Sequence, residues 1–171
     1  MILAQSVIGN INADAKLNDE YKMMCKNDLC EKIRISRLES QRARMRKKTD
    51  KGTDVGIQLA AGTIIRNGDV ILLEKGKMIL VEIEPELVAA IQLQGHSTDH
   101  DLFELTVKIG HALGNLHRPI RIEGHKISLP IQDDSEINML NSLFAPISDH
   151  LKITKEMQVF KPDSGMEGHE H

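Results

Sequence analysis

The feature that most constrains this chain is a change of hydrophobic rhythm at Pro85. Before it, apolar residues alternate with polar ones or run in short blocks between turn residues. Arg42, Arg44 and Arg46 alternate with Ala43 and Met45, the two-residue period of a half-buried strand, so the three arginines share one face. Asp50-Lys51-Gly52-Thr53-Asp54 reads as a turn into a strand from Val55 to Leu59, and Asn67-Gly68-Asp69 as a tight connection into Val70-Ile71-Leu72-Leu73. Glu74-Lys75-Gly76-Lys77 then turns the chain into Met78-Ile79-Leu80-Val81. Short strands punctuated by glycine predict a small all-β domain over residues 31–84. Residues 1–30 show no clear period and are expected as a loosely ordered lead-in with room for one edge strand.

Beyond Pro85 strands alternate with helical spacing. Val88 to Leu93 reads as a strand; Ser97, Thr98 or Asp99 can cap a helix running to Leu113, with Gly114 in the C′ position and Leu102, Leu105 and Ile109 as its apolar stripe. Ile120 and Ile122, then Ile127, Leu129 and Ile131, alternate on either side of Glu123-Gly124-His125, which predicts a hairpin. Asp133 with Glu136 forms a start resembling a capping box for a second helix bearing Ile137, Leu140 and Phe144, and a final strand is expected around Gln158, Val159 and Phe160. The order is βαββαβ, so the fold class is α+β: a small N-terminal β domain followed by a ferredoxin-like domain over residues 85–160 and a polar, flexible tail over 161–171.

The chain has 171 residues, 40% of them apolar and 27% charged, with net charge −3, which places it among globular rather than disordered sequences. With one Tyr, three Phe and no Trp, it lacks the exposed rings that stack single-stranded nucleic acid. No stretch approaches the ~20 apolar residues of a membrane span and the first residues do not read as a leader, so a cytoplasmic protein is expected. Cys25 and Cys30 have no second pair and read as reduced thiols without a role, or as an accessory metal contact. Residues 31–51 are locally basic: a solvated, charge-protected sheet edge, a dock for an acidic protein partner through Arg42, Arg44 and Arg46, or a nucleic-acid contact.

All eight histidines lie at or beyond residue 96: His96, His100, His111, His117, His125, His150, His169 and His171. Imidazole without cysteine pairs suits Ni²⁺, Cu²⁺ or Zn²⁺ rather than iron–sulfur chemistry. His100, Glu104 and His111 fall on one helix face opposite Leu102, which reads as a solvated face; His96 and His100 are four apart, but His96 precedes the helix. His125 and His150 read as exposed loop residues. His117 differs, because it follows Gly114-Asn115 at the helix exit and precedes Arg118-Pro119, where the backbone holds a side chain in place. One imidazole is a weak site, but an isologous two-fold interface supplies two, and His169 and His171 can complete the sphere. No H-E-x-x-H, G-x-S-x-G or G-x-x-x-x-G-K-[ST] occurs, and Asp133 and Asp134 read as helix-capping carboxylates, so no enzyme activity is expected.

Four segments resemble the UreE family of urease accessory proteins: Ser40-Gln41-Arg42-Ala43-Arg44; Gly62-Thr63-Ile64-Ile65-Arg66-Asn67-Gly68-Asp69-Val70; Ala112-Leu113-Gly114-Asn115-Leu116-His117-Arg118-Pro119; and Val159-Phe160-Lys161-Pro162-Asp163. The resemblance implies a homodimeric nickel metallochaperone in which His117 binds Ni²⁺ at the two-fold interface. Gly168-His169-Glu170-His171 looks like a short version of the family's histidine tail. It further implies delivery of the ion to the urease apoprotein complex with help from a nucleotide-binding accessory partner. Where members often carry His and Arg, Ala112 and Leu116 stand; His111 is one residue displaced. Nickel follows from the resemblance alone, since histidine sites also take Zn²⁺ and Cu²⁺. The competing reading is a protein- or RNA-binding adaptor that uses the basic face and the ferredoxin-like domain; a metal-dependent hydrolase lacks a base and a nucleophile.

Overall fold

The structure, a computed structural model, describes residues 1–74, 76–94 and 99–163. The chain divides into two compact units, Met1–Glu84 and Pro85–His171.

The first unit contains β1 (Ile2–Ala4), β2 (Gly9–Asn10), α1 (Ala15–Lys26), β3 (Cys30–Ile35), α2 (Arg37–Ser40), β4 (Arg44–Lys48), β5 (Asp54–Gln58), β6 (Asp69–Glu74) and β7 (Lys77–Ile83). Two sheets form, of order β1-β5-β4 and β2-β6-β7-β3. Ile33, Ile35, Val55, Ile57, Ile79 and Val81 from both sheets make one buried cluster. The intervening residues of β7, Met78 and Leu80, join Val70, Cys30, Leu17 and Met24 in a second. The run from Met78 to Val81 does not alternate because both faces of its sheet are covered.

The cover is α1, which corrects the expectation for residues 1–30: they hold two strands and a helix rather than a loose lead-in. Asp14 caps α1 by accepting from the amides of Lys16 and Leu17. Leu17 and Met24, seven apart, face the sheet, and burying two such side chains contributes roughly 1.5–3 kcal/mol each. The approach to α1 is fixed by the Asn67-Gly68-Asp69 turn. Asn10 and Asn12 each donate to the Asn67 carbonyl at 3.0 Å, and Asn10 also donates to Asp69 Oδ1 at 2.8 Å. Gly68 has φ +86°, and a Cβ there would lie 2.4 Å from Asn12 Nδ2, so glycine is required twice over.

One buried carboxylate ties β3 to β7. Glu31 accepts from Thr49 Oγ1 at 2.6 Å and pairs with Lys77 Nζ at 2.6 Å. Burial alone would raise its pKa, but hydrogen bonds from Lys77, Thr49 and Thr53 and the ammonium charge outweigh it and hold the value at about 2.

The second unit contains β8 (Glu86–Leu93), α3 (Asp99–Gly114), β9 (Arg121–Glu123), β10 (Lys126–Pro130), α4 (Asp134–Leu143), a 3₁₀ segment (Ala145–His150) and β11 (Leu151–Gln158). The antiparallel sheet has order β11-β8-β10-β9, and the βαββαβ succession is the one expected. Leu105, Ile109 and Leu113 of α3, with Leu140 of α4, pack on Ala89, Ile91, Leu129 and Leu151.

Three local expectations need correction. The last strand is Leu151–Gln158, not a strand centred on Val159; Phe160 lies beyond it and is buried. Gly114 is the last helical residue and has no positive φ; the left-handed residue that ends the turn is His117. The capping carboxylates at α4 are shifted by one: Asp133 accepts from Ser135 N, and Glu136 accepts from Gln132 N rather than from Asp133. Of the proposed α3 caps, Asp99 is the first helical residue, while Ser97 and Thr98 lie outside the described residues.

Candidate metal centre

α3 ends in a succession of short backbone bonds: Asn115 N to His111 O at 3.2 Å, Leu116 N to Leu113 O at 3.0 Å and His117 N to Gly114 O at 3.1 Å. The last bond closes with His117 at φ +51°, a conformation that favours glycine. Leu116 packs against the core and Pro119 is buried, whereas His117 between them is exposed. Arg118 locks the segment from the other side. Its guanidinium donates to the Pro130 carbonyl at 3.1 Å and ion-pairs with Glu136, tying the α3 exit to the end of β10 and the start of α4. The backbone on both sides is therefore held while the imidazole projects outward.

Two further features converge there. Asp163 N donates to Ile120 O at 3.0 Å, and Asp163 Oδ2 accepts from Ile122 N at 2.8 Å. The chain that continues toward His169 and His171 is thus fastened three to five residues along from His117. The second feature is the outward face of α3, where Phe103 is 71% and Val107 54% exposed. Next to them Gly110 and Gly114 leave open space, so an apolar face adjoins the one that carries Glu104 and His111, both exposed as the sequence suggested.

His111 is exposed one turn before the helix end, with Nε2 3.5 Å from Asn115 Nδ2. His125 and His150 are exposed, and their carbonyls accept from Leu93 N and Gln94 N at the end of β8. They therefore sit at the end of β8, away from the α3 exit. His96, His169 and His171 lie outside the described residues. Among the described residues no three His, Cys, Asp or Glu side chains gather as a metal-binding group, so any site at His117 must draw ligands from elsewhere. Cys30 is buried, and desolvation, with a hydrogen bond to Cys25, pushes its thiol up to about 12. Such a thiol is a poor ligand. Sequence reasoning missed Arg118 and Asp163 as the anchors of this region; their signals were an arginine directly before Pro119 and the final aspartate of the fourth resembling segment.

Arg44 and Arg46 lie on β4 with exposed side chains and Arg42 just before it, also exposed. Arg46 is bonded to Asp54 at 2.9 and 2.7 Å.

The model of the UreE urease accessory protein N-terminal domain matches residues 4–84, all but the first three residues of the first unit. Residues 4–84 belong to the UreE N-terminal domain family. Similarity to UreE proteins does not stop there. The chain is 30% identical over 131 residues to the urease accessory protein UreE of Natronomonas pharaonis, covering 77% of this chain and 60% of that one. It is 31% identical over 126 residues to UreE of Paracidovorax citrulli (73% and 55%) and 26% over 136 residues to UreE of Yersinia intermedia (77% and 58%). Each stretch is longer than the first unit, so the likeness continues into the second. The chain matches somewhat over half the length of these UreE relatives. The family read from the four segments is the one these comparisons return.

No helix among the described residues is long and apolar enough to cross a membrane.

Proposed function

We propose that this chain is a urease accessory metallochaperone that binds Ni²⁺ at a homodimer interface and delivers it for assembly of the urease nickel site. The observation that carries the reading is the geometry at the α3 exit: an exposed His117 on a backbone anchored by Arg118 beside the fastening point of Asp163. Two copies of His117 across a two-fold axis supply two nitrogens, and the exposed Phe103 and Val107 offer apolar surface to bury between copies. From Asp163 to His169 is six residues, which span up to ~20 Å when extended. His169 and His171 are therefore within reach of the same ion, with His111 an auxiliary ligand. The ion is cargo, so the chain needs no base or nucleophile and is not an enzyme. The name shared by its relatives supports urease as the recipient, and the partners are the urease apoprotein complex and its nucleotide-binding accessory protein.

The test is calorimetric titration of Ni²⁺, with light scattering, into the full chain, a version ending at Gly168, and His117→Ala. One ion per dimer, weakened without the last residues and lost in His117→Ala, is the expected result. Binding to a monomer that ignores His117 refutes the interface site. Zn²⁺ and Cu²⁺ titrations rank the metals, since nitrogen ligands also accept both.

A further inference from the structure

We infer that the outer edge of β4 is a docking site for an extended acidic peptide segment, which adds as a further strand to the sheet β1-β5-β4. This deepens the partner-docking reading of Arg42, Arg44 and Arg46 and rests on it.

β4 and β5 pair antiparallel with Arg44 opposite Gln58, Arg46 opposite Gly56 and Lys48 opposite Asp54. Just outside the strand ends, Leu59 N donates to Ala43 O at 2.8 Å and Thr49 N to Thr53 O at 2.9 Å. Residues 43 and 49 therefore exchange bonds with the partner strand, and by the two-residue period so do Met45 and Lys47. The amides and carbonyls of Arg44, Arg46 and Lys48 point the other way, to the open edge. β4 pairs with no strand but β5 among the described residues.

The other edges differ. β3, at the rim of the second sheet, has its open side closed at Lys32, whose N–H donates to Asp50 Oδ1 and whose carbonyl accepts from Asp50 N, both at 2.9 Å. β1 and β2 are three and two residues long. β4 offers five regular residues without proline or bulge.

Charge selects the occupant. The residues whose backbone groups are open, Arg44, Arg46 and Lys48, carry their side chains on one face of the sheet, all exposed. Met45 turns to the core and Lys47 is tied to Glu39 at 2.6 Å. Arg46 is satisfied by Asp54, but no carboxylate lies within ion-pair distance of Arg42, Arg44 or Lys48 among the described residues. An added strand with acidic residues at alternate positions places each beside one of these cations while its backbone takes the three open donor–acceptor pairs. Backbone pairing supplies affinity and the alternation supplies selectivity. Charge on an open edge also discourages self-pairing, which leaves it free for an acidic partner.

The probe is a fluorescent peptide of about seven residues with Glu at every second position and Val or Thr between, titrated into the full chain by anisotropy, with amide exchange followed by NMR. The expected result is binding that weakens with salt, new exchange protection at the amides of Arg44, Arg46 and Lys48, and no change at Met45 and Lys47. Arg44→Gln should weaken binding about three- to fivefold by loss of one exposed ion pair. Arg44→Pro, which also removes the outward N–H without touching the β4–β5 ladder, should weaken it by roughly a further threefold to tenfold. Equal binding of a peptide with the same acids in one block, equal loss in the glutamine and proline variants, or protection absent at the three amides would overturn strand addition. So would displacement by single-stranded RNA at the same charge concentration. If the peptide fails but the chain still binds the urease apoprotein, this inference falls and the partner-docking reading stands; loss of both removes the reading itself.

Discussion

Glu31→Gln isolates what one buried carboxylate contributes to the first unit. The substitution keeps the shape and removes the charge that meets Lys77 Nζ and Thr49 Oγ1. In the folded chain the carboxyl titrates at about 2, against 4.5 for an unconstrained glutamate. Because the folded value is the lower one, the stabilisation is fully present above the unfolded value and is lost as pH falls from there toward the folded one. A displacement of that size corresponds to about 3 kcal/mol at pH 7 and, once both titrations are included, to about 1.4 kcal/mol at pH 3. The reporter is built in: Tyr21 is the sole tyrosine, there is no tryptophan, and Tyr21 packs against the cluster under α1. Urea unfolding followed by Tyr21 fluorescence should therefore show a wild-type advantage that shrinks by about half between pH 7 and pH 3. An equal gap at the two pH values would show that Glu31 acts through shape, and no gap at pH 7 would refute the ion-pair argument altogether.

Three other outcomes follow from the same geometry. His117→Gly should stabilise the second unit relative to His117→Ala by about 1 kcal/mol in thermal unfolding, because only glycine takes the positive φ without cost, while both abolish nickel binding. Asp14→Ala should cost roughly 0.5–2 kcal/mol in the Tyr21 transition, since two amides of α1 lose their acceptor. Leu140→Ala removes a fully buried side chain from the sheet-facing side of α4 and should cost about 2–5 kcal/mol, read by circular dichroism, with the Tyr21 transition unchanged.

The strands of the first unit were legible either from a two-residue period, as in the exposures of Arg44, Met45 and Arg46 on β4, or from short apolar runs bounded by turn residues, as in β6 and β7. α1 was hidden because its apolar stripe is only Leu17, Tyr21 and Met24 within a charged helix. The clue lay elsewhere, in the unbroken Met78-Ile79-Leu80-Val81, which demands a cover for the second face of its sheet. β11 was read too late because Lys152, Lys155 and Glu156 dilute its pattern, while Val159 and Phe160 drew attention beyond its end. Gly114 offered the expected helix stop, but Arg118 and Pro119 extend the turn to His117, and no local propensity announces a histidine at positive φ. The held, exposed position of His117 at the helix exit was legible from its neighbours. The apolar companions Phe103 and Val107 were not, since at helical spacing they resemble ordinary core positions until burial of Leu105, Ile109 and Leu113 assigns the inner face.

The fastening of Asp163 to Ile120 and Ile122 sets a local concentration. A ligand joined to its site by a short connection behaves as if dissolved there at on the order of millimolar strength, and that figure falls as the connection lengthens. If His169 and His171 bind the ion proposed at His117, each imidazole acts there as a high-strength reagent and can be exchanged singly. A recipient that offers its own ligands need displace one nitrogen at a time and never faces the whole coordination sphere at once. On the proposed site, cutting the Asp163 bonds should weaken the tail's hold on the ion without altering a single ligand.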